Sequence, residues 1–438
     1  MKKTYIFLIS VITSFYANAQ SLYFPPTIGT TWDTISPQSL NWCNNKIDSL
    51  YAYLDTNNTK AFILLKDGKI VLEKYFGTHT QTTPWQWNSA GKTLTSFMVG
   101  VAQQENFLSI SDTTSKHIGQ GWTDCTPTQE NKITIKHQLS MTTGLDDGVP
   151  DHYCTLDTCL IYKADAGTRW AYHNGPYTLL DSVIEKTTGA TLNTYTTQKL
   201  KTPIGMTGLF VPVGYNNVFF SSARSMARFG LLILNKGNWN GNQIMTDTTY
   251  FKQMVNTSQT LNKAYGYFWW LNGKTTYMIP GTQLVFNGFL NPNAPADMFA
   301  AMGKDGQFLN VIPSQNIVWL RMGNAPDGLP VPFLMNDKIW EYINNLSCAL
   351  STKNEIAFNN NSEVQIFPNP SYNDMLNIKS KFSIEKVEVS NIQLQNLKTI
   401  STQNKELSIS IIDLPSGLYF VKAYLSNGNI WTGKLVKK

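Results

Sequence analysis

The sequence predicts an α/β chain of the α+β kind: one large unit that mixes helices with strands, followed by a small all-β sandwich. Three observations carry this expectation. Residues 40–54 place apolar side chains at helical spacing with few breakers. Residues 61–65 and 69–75 flank Asp67-Gly68, a dipeptide whose tolerance of positive φ suits a tight hairpin turn. After residue 363 short alternating runs such as Val387-Glu388-Val389 and Leu407-Ser408-Ile409-Ser410-Ile411 are separated by turn residues, the pattern of a small sandwich.

With 438 residues, 42% of them hydrophobic and 15% charged, the chain has the apolar content for a sizeable core and for about two or three domains. The net charge of +6 is spread rather than blocked, so no basic stripe with interleaved aromatics points to nucleic acid. Lys2-Lys3, the apolar run 6–15 and Ala17-Asn18-Ala19 read as a signal peptide over residues 1–19, cut before Gln20. Removing both lysines lowers the charge from +6 to +4. No other segment is apolar for 18 residues, so the mature chain is expected to be soluble, without a transmembrane segment.

Export permits disulfides. Of the five cysteines, Cys154 and Cys159 close a short loop, and Cys43 and Cys348 lie near the two ends of the large unit, residues 20–350. These two bridges are expected, leaving Cys125 free. No C-x-x-C pair and only five histidines occur, so neither a metal nor another cofactor is expected. A polar, Asn-rich stretch, residues 351–363, reads as a linker, and residues 364–438 form the tail.

Ser89-Ala90-Gly91-Lys92 opens a helical stretch, and residues three apart share a helix face, so the two side chains can hydrogen-bond. A serine hydroxyl becomes a nucleophile when a neighbour takes its proton, and a lysine can do so once desolvation lowers its pKa. Alone the motif is weak: Ser383-Ile384-Glu385-Lys386 repeats it in the tail, where it reads as surface. Context comes from Tyr172-His173-Asn174, which follows Gly167 and leads into a helix. There Tyr172 can relay a proton and Asn174 can hold a substrate carbonyl, although a core tyrosine and a helix-capping asparagine are the plainer alternatives. Tyr215-Asn216-Asn217 and Tyr342-Ile343-Asn344 show that the tripeptide is common. A third element, Lys304-Asp305-Gly306-Gln307, follows a strand pattern, and the Gln307 N–H could complete an oxyanion hole with that of Ser89. His137 and His173 read as structural, and Tyr267-Phe268-Trp269-Trp270 as core strand.

Taken together these elements resemble the serine β-lactamase and penicillin-binding protein-like family, nearest its class C and esterase branch. The intervening segments Ile133-Thr134-Ile135, Thr143-Gly144-Leu145, Pro203-Ile204-Gly205-Met206 and Ser221-Ser222-Ala223-Arg224-Ser225-Met226-Ala227-Arg228-Phe229 are similar to that family's in order and spacing. The resemblance implies an antiparallel sheet flanked by helices plus an all-helical subdomain. It also implies a serine hydrolase, with Ser89 as nucleophile and Lys92 and Tyr172 sharing acid–base work. Lys304, Gly306, Gln307 and Asn174 would line the substrate and oxyanion site. Asp305 stands where the family's K-T-G has threonine and opposes an anionic substrate group, which weakens the β-lactam reading and favours an ester, amide or peptide bond; a β-lactam or D-amino-acid peptide bond stays as a further option. The tail resembles the type A C-terminal sorting domain of the type IX secretion system, through Phe367-Pro368-Asn369-Pro370, Pro415-Ser416-Gly417-Leu418-Tyr419-Phe420 and the terminal lysines. That implies the secretion machinery as partner, a secreted or surface location, and otherwise a monomer meeting a small-molecule or peptide substrate. The rival expectation is a non-catalytic surface protein that binds cell-wall or glycan ligand with the same fold.

Overall fold

The computed structural model describes residues 22–325, 331–348, 364–372, 374–391 and 395–438. The expected signal peptide and linker lie outside these residues. The chain forms two compact units that divide after Cys348.

The large unit is built on a six-stranded antiparallel sheet. Its strands are β1 (Thr59–Lys66), β2 (Lys69–Tyr75), β3 (Trp270–Leu271), β4 (Phe299–Gly303), β5 (Gln307–Ile312) and β6 (Ile317–Gly323). They lie in the order β2-β1-β6-β5-β4-β3, so a hairpin from the start of the unit pairs with three strands from its end. At the tip of that hairpin Asp67 and Gly68 both have positive φ, 51° and 82°, the conformation a two-residue hairpin turn requires.

The central strands are buried on both faces, which explains why they read as unbroken apolar runs rather than alternating ones. Every residue of β4, β5 and β6 is buried. Neighbouring residues of a strand face opposite ways. Trp319 accordingly meets Trp340 of α5 (Phe333–Asn344), while Val318 lies beneath Gly230 of α4 (Ala223–Leu234). A Cβ at Gly230 would stand 2.6 Å from the Val318 side chain, so glycine there lets α4 press directly onto the sheet.

The predicted helix over 40–54 is observed as α1, Asn44–Thr56. Its start is displaced because Pro37–Leu40 closes a single 3-10 turn and Asn41 follows at φ 59°, a left-handed residue that ends the turn. Cys43 caps α1 and bridges to Cys348 beyond α5, with Cα atoms 5.0 Å apart and 305 residues between them in sequence. A second bridge joins Cys154 and Cys159, and Cys125 is free.

Between β2 and β3 the chain leaves the sheet to form a helical region. Its centre is α2 (Lys92–Gln104), buried on all sides from Lys92 to Ala102, as a helix at the heart of a domain must be. Beside it α3 (Asn174–Thr188) packs on α2 and on the short helices Thr114–Ile118 and Ile135–Leu139. The first turn of α2 points at the end of β4, where the candidate site lies.

The second unit is all β. One sheet pairs Val364–Phe367, Met375–Ser380 and Glu406–Ser410; the other pairs Asn396–Ser401, Ile384–Ser390, Gly417–Leu425 and Ile430–Lys437. Both contribute to one core that includes Leu376, Ile409, Val387, Val421 and Leu435, the arrangement of a sandwich. The second S-x-x-K runs into one of these strands, where residues three apart point to opposite faces. Lys386 there pairs with Glu388 at 2.9 Å.

Candidate functional site

A short strand, Trp85–Gln86, delivers the chain to the site. Trp87 fixes the approach with two bonds: its backbone N–H donates to the Phe219 carbonyl and its indole N–H to Ser221 Oγ, both at 2.8 Å. Asn88 then adopts φ 48°, unusual for a residue with a Cβ, and its side-chain amide donates to the Lys304 carbonyl at 3.0 Å. This sharp bend places Ser89 in a 3-10 turn, Asn88–Gly91, that runs straight into α2. The serine therefore sits at the positive end of a long buried helix.

Lys92, one turn on, donates from Nζ to Ser89 Oγ at 2.9 Å. Its side chain is 3% exposed, and its ammonium lies 4.3 Å from the centre of the Tyr177 ring and 5.1 Å from that of Tyr172. Burial pulls its pKa down from 10.5 to about 7, against a weaker opposing pull from Asp181. Asp181 lies behind Lys92 on α3, accepting from Thr95 Oγ1 at 3.4 Å and Asn217 Nδ2 at 3.0 Å, and burial raises its carboxyl to about 7. Ser89 beside the Tyr172 hydroxyl lowers its pKa, yet burial outweighs this and raises it above the usual phenol value. Its ring is stacked on Trp270, centroids 5.9 Å apart, with Tyr265 edge-on at 6.3 Å. Ser89, Lys92 and Tyr172, far apart in sequence, thus converge on one hydroxyl.

Asn174 is the first residue of α3 and makes no cap bond; His173 holds the capping position. The Asn174 Oδ1 is buried without a hydrogen-bond partner among the described residues, and Asn174 lines the cavity in front of Ser89. His173 is buried with its pKa pulled down to about 4 by desolvation, and His137 bonds to Thr134 at the start of its own helix. Of the aromatic run 267–270, all four residues are buried as expected, but only Trp270 continues into β3, and it supports the Tyr172 ring.

The third motif departs from its expected register. The backbone that reaches Ser89 is Gly303, not Gly306: a Cβ on Gly303 would lie 2.6 Å from the Trp87 carbonyl oxygen, 2.8 Å from Ala90 N and 3.0 Å from Ser89 N. Gly306 instead makes room for Arg321, whose Nη1 donates to the Asp305 and Gly306 carbonyls at 2.8 Å. Gln307 is fully buried, its amide bonded to the Gly323 carbonyl at 2.6 Å and to the Gly323 N–H at 3.0 Å. Gly306 and Gln307 therefore build the turn, and Lys304 is the residue of this segment that faces the substrate space. Gly303→Ala should cost about 1–3 kcal/mol, because the colliding atoms are backbone and cannot rotate away. It should also slow reaction of the Ser89 hydroxyl with a serine-directed phosphonate, since the obstruction falls on the Ser89 peptide. Thermal unfolding and labelling of one preparation check both.

Two cavities of about 410 Å³ each meet at Ser89. One is walled by Asn88, Lys92, Tyr177, Asn216 and Asn217, the other by Asp147, His152, Tyr172, Asn174 and Pro280. Ser89, Tyr153 and Lys304 belong to both. Asp147 is neutralised by Arg169 at 2.6 Å. The Tyr215-Asn216-Asn217 segment, which resembled the Tyr172 motif only by composition, turns out to wall the first cavity and to hold Asp181. Sequence reasoning also missed Tyr153, Tyr177 and Asp181, none of which stands in a motif.

A family description, Beta-lactamase, matches residues 58–343, and a second, Secretion system C-terminal sorting domain, matches residues 365–438. Among solved structures, a family VIII carboxylesterase superposes with a TM-score of 0.53 at 14% identity, covering 69% of this chain and 97% of that one. A penicillin-binding protein homolog from Caulobacter crescentus gives 0.53 at 11% identity over 69% and 98%, and a beta-lactamase from Mycobacterium bovis 0.50 at 15% over 69% and 100%. At these identities the likeness is one of fold. No curated protein matches the chain. No helix among the described residues is long and apolar enough to cross a membrane. With a match over more than half its length, the chain belongs to the beta-lactamase family of hydrolases, and its sorting domain directs it through the type IX secretion machinery to the cell surface or extracellular space.

Proposed function

We propose that the protein is a secreted serine hydrolase that cleaves an ester, amide or peptide bond through an acyl-enzyme on Ser89. The observation that carries this reading is the 2.9 Å bond between Lys92 Nζ and Ser89 Oγ, made by a lysine whose burial brings its pKa to about 7. At neutral pH a substantial fraction of Lys92 is then an amine able to take a proton. Ser89 Oγ attacks the carbonyl carbon as its proton passes to Lys92, and the carbonyl oxygen gathers negative charge. The N–H groups of Ser89 and Lys304, on the two peptides that Gly303 brings together, are our candidates to hold that charge. Tyr172, kept protonated by its raised pKa and beside Ser89, is suited to pass a proton to the departing group, with Lys92 restoring it. Water entering beside Tyr172 then attacks the acyl-enzyme by the reverse route.

The cavity walls favour a neutral substrate. Among the described residues their cationic side chains are Lys92, which is engaged with Ser89, and Lys304, next to Asp305, while Asp151 adds negative charge. Among the described residues that wall the cavities, a free carboxylate such as a β-lactam carries meets no arginine. The full chain should hydrolyse p-nitrophenyl acetate at least about tenfold more efficiently than nitrocefin, a difference of roughly 1.4 kcal/mol in the activation barrier. Turnover of neither, with no phosphonate labelling, would favour the ligand-binding alternative.

A further inference from the structure

We propose that Tyr153 is a specificity-determining residue, its ring limiting the size of the groups beside the scissile carbonyl, and that the Cys154–Cys159 bridge holds it in place. The proposal rests on the hydrolase reading above and goes beyond it to substrate selection.

Tyr153 walls both cavities that meet at Ser89. It is 37% exposed, and burial of the remainder together with Asp151 raises its hydroxyl pKa. It rises from a loop, residues 146–161, whose ends are joined where Leu145 pairs with Tyr162. Such a long surface segment would ordinarily move. Here it is pinned directly behind the tyrosine. The Gly175 N–H at the start of α3 donates to the His152 carbonyl at 2.9 Å, and a Cβ on Gly175 would collide with the Cys154 carbonyl oxygen, so glycine admits the loop against the helix. The Tyr153 N–H donates to Asp151 Oδ1 at 2.9 Å, and the His152 ring lies 4.3 Å from the Tyr153 ring. Cys154 is 2% exposed, and Leu160, next to Cys159, is fully buried.

The bridge makes best sense as a local device. It spans a sequence separation of 5, against 305 for Cys43–Cys348, so it removes far less entropy from the unfolded chain. What it does restrict is the residue immediately before it. With Tyr153 fixed, an extended acyl chain has to pass a rigid aromatic wall in the same cavities that Ser89 opens into.

The test compares kcat/KM for p-nitrophenyl octanoate and p-nitrophenyl acetate in wild type, Tyr153→Ala, Tyr153→Phe and the double variant Cys154→Ser/Cys159→Ser. The octanoate-to-acetate ratio should rise about tenfold in Tyr153→Ala, move in the same direction in the double variant, and stay at the wild-type value in Tyr153→Phe, which keeps the ring. Stoichiometric labelling of Ser89 by a small phosphonate shows that fold and nucleophile persist in each variant. An unchanged ratio in Tyr153→Ala or in the double variant, a shift in Tyr153→Phe equal to that of Tyr153→Ala, or loss of labelling in Tyr153→Ala would each overturn the proposal while leaving the hydrolase reading standing. Esterase turnover that survives Ser89→Ala would instead remove the hydrolase reading and the proposal with it.

Discussion

Ser89→Ala should reduce ester turnover by at least about 10⁴-fold and abolish phosphonate labelling, because the variant loses the atom that forms the acyl bond while the rest of the cleft stays intact. The change is small in structural terms. Ser89 is only partly buried, and alanine suits the turn that enters α2. The fold should therefore hold, and any turnover left reports what the bound geometry achieves without covalent chemistry. Ser383→Ala is the matched control: it removes the serine of the other S-x-x-K, which stands at the edge of a strand with Lys386 paired to Glu388, and it should leave turnover unchanged. Labelling that survives Ser89→Ala and vanishes on replacing a different serine would place the nucleophile elsewhere.

Much of this site was legible because its first element is local. S-x-x-K works as a motif through the helical repeat, and Asp67-Gly68 through the φ values of two adjacent residues; both needs are met within one turn of chain. The third motif was less legible because Gly303 and Gly306 stand on the same hairpin turn, and only tertiary structure decides which one faces Ser89. Gly303 is placed against the Ser89 peptide by the pairing of β4 with β5, and Gly306 against Arg321, a residue of β6. The Asn216-Asn217 and Tyr153 walls were not legible for a related reason. Each is brought to the cleft by a bond to a residue distant in sequence, Asn217 at the start of the short strand Asn216–Ser221 by Asp181, and the surface loop of Tyr153 by the Gly175–His152 bond, and local sequence does not announce such partners. Cys43 and Cys348 were paired on their places at the two ends of the unit, and the structure brings them together because α1 and α5 pack side by side.

Lys92→Met should inactivate the protein and stabilise it at the same time. Lys92 titrates near 7 in the fold and near 10.5 in an unfolded chain, so between those values the unfolded chain holds a proton that the folded chain has released. Stability due to this group accordingly rises with pH across that window. Below pH 7 the folded state carries the full cost of a buried ammonium; near pH 10.5 the cost has gone. Methionine has a similar length and no charge, so it removes the cost outright. Asp181 does not reverse the sign at pH 6, because burial raises its carboxyl to about 7 and it is then mostly protonated, leaving no anion stranded by loss of the lysine. The variant should gain on the order of 2–4 kcal/mol at pH 6, and the gain should shrink as the pH approaches 10. Catalysis should change the other way, with kcat/KM for p-nitrophenyl acetate falling about 10²–10⁴-fold. The wild-type profile should climb with pH through about 7 as Lys92 loses its proton, and that limb should be missing from the variant. Chemical denaturation at pH 6 and pH 9, set beside the two pH–rate profiles, measures all of this. A variant that is no more stable than wild type at pH 6 and still shows the limb near 7 would mean that Lys92 is neither strained by burial nor the base, and that another group sets the reactivity of Ser89.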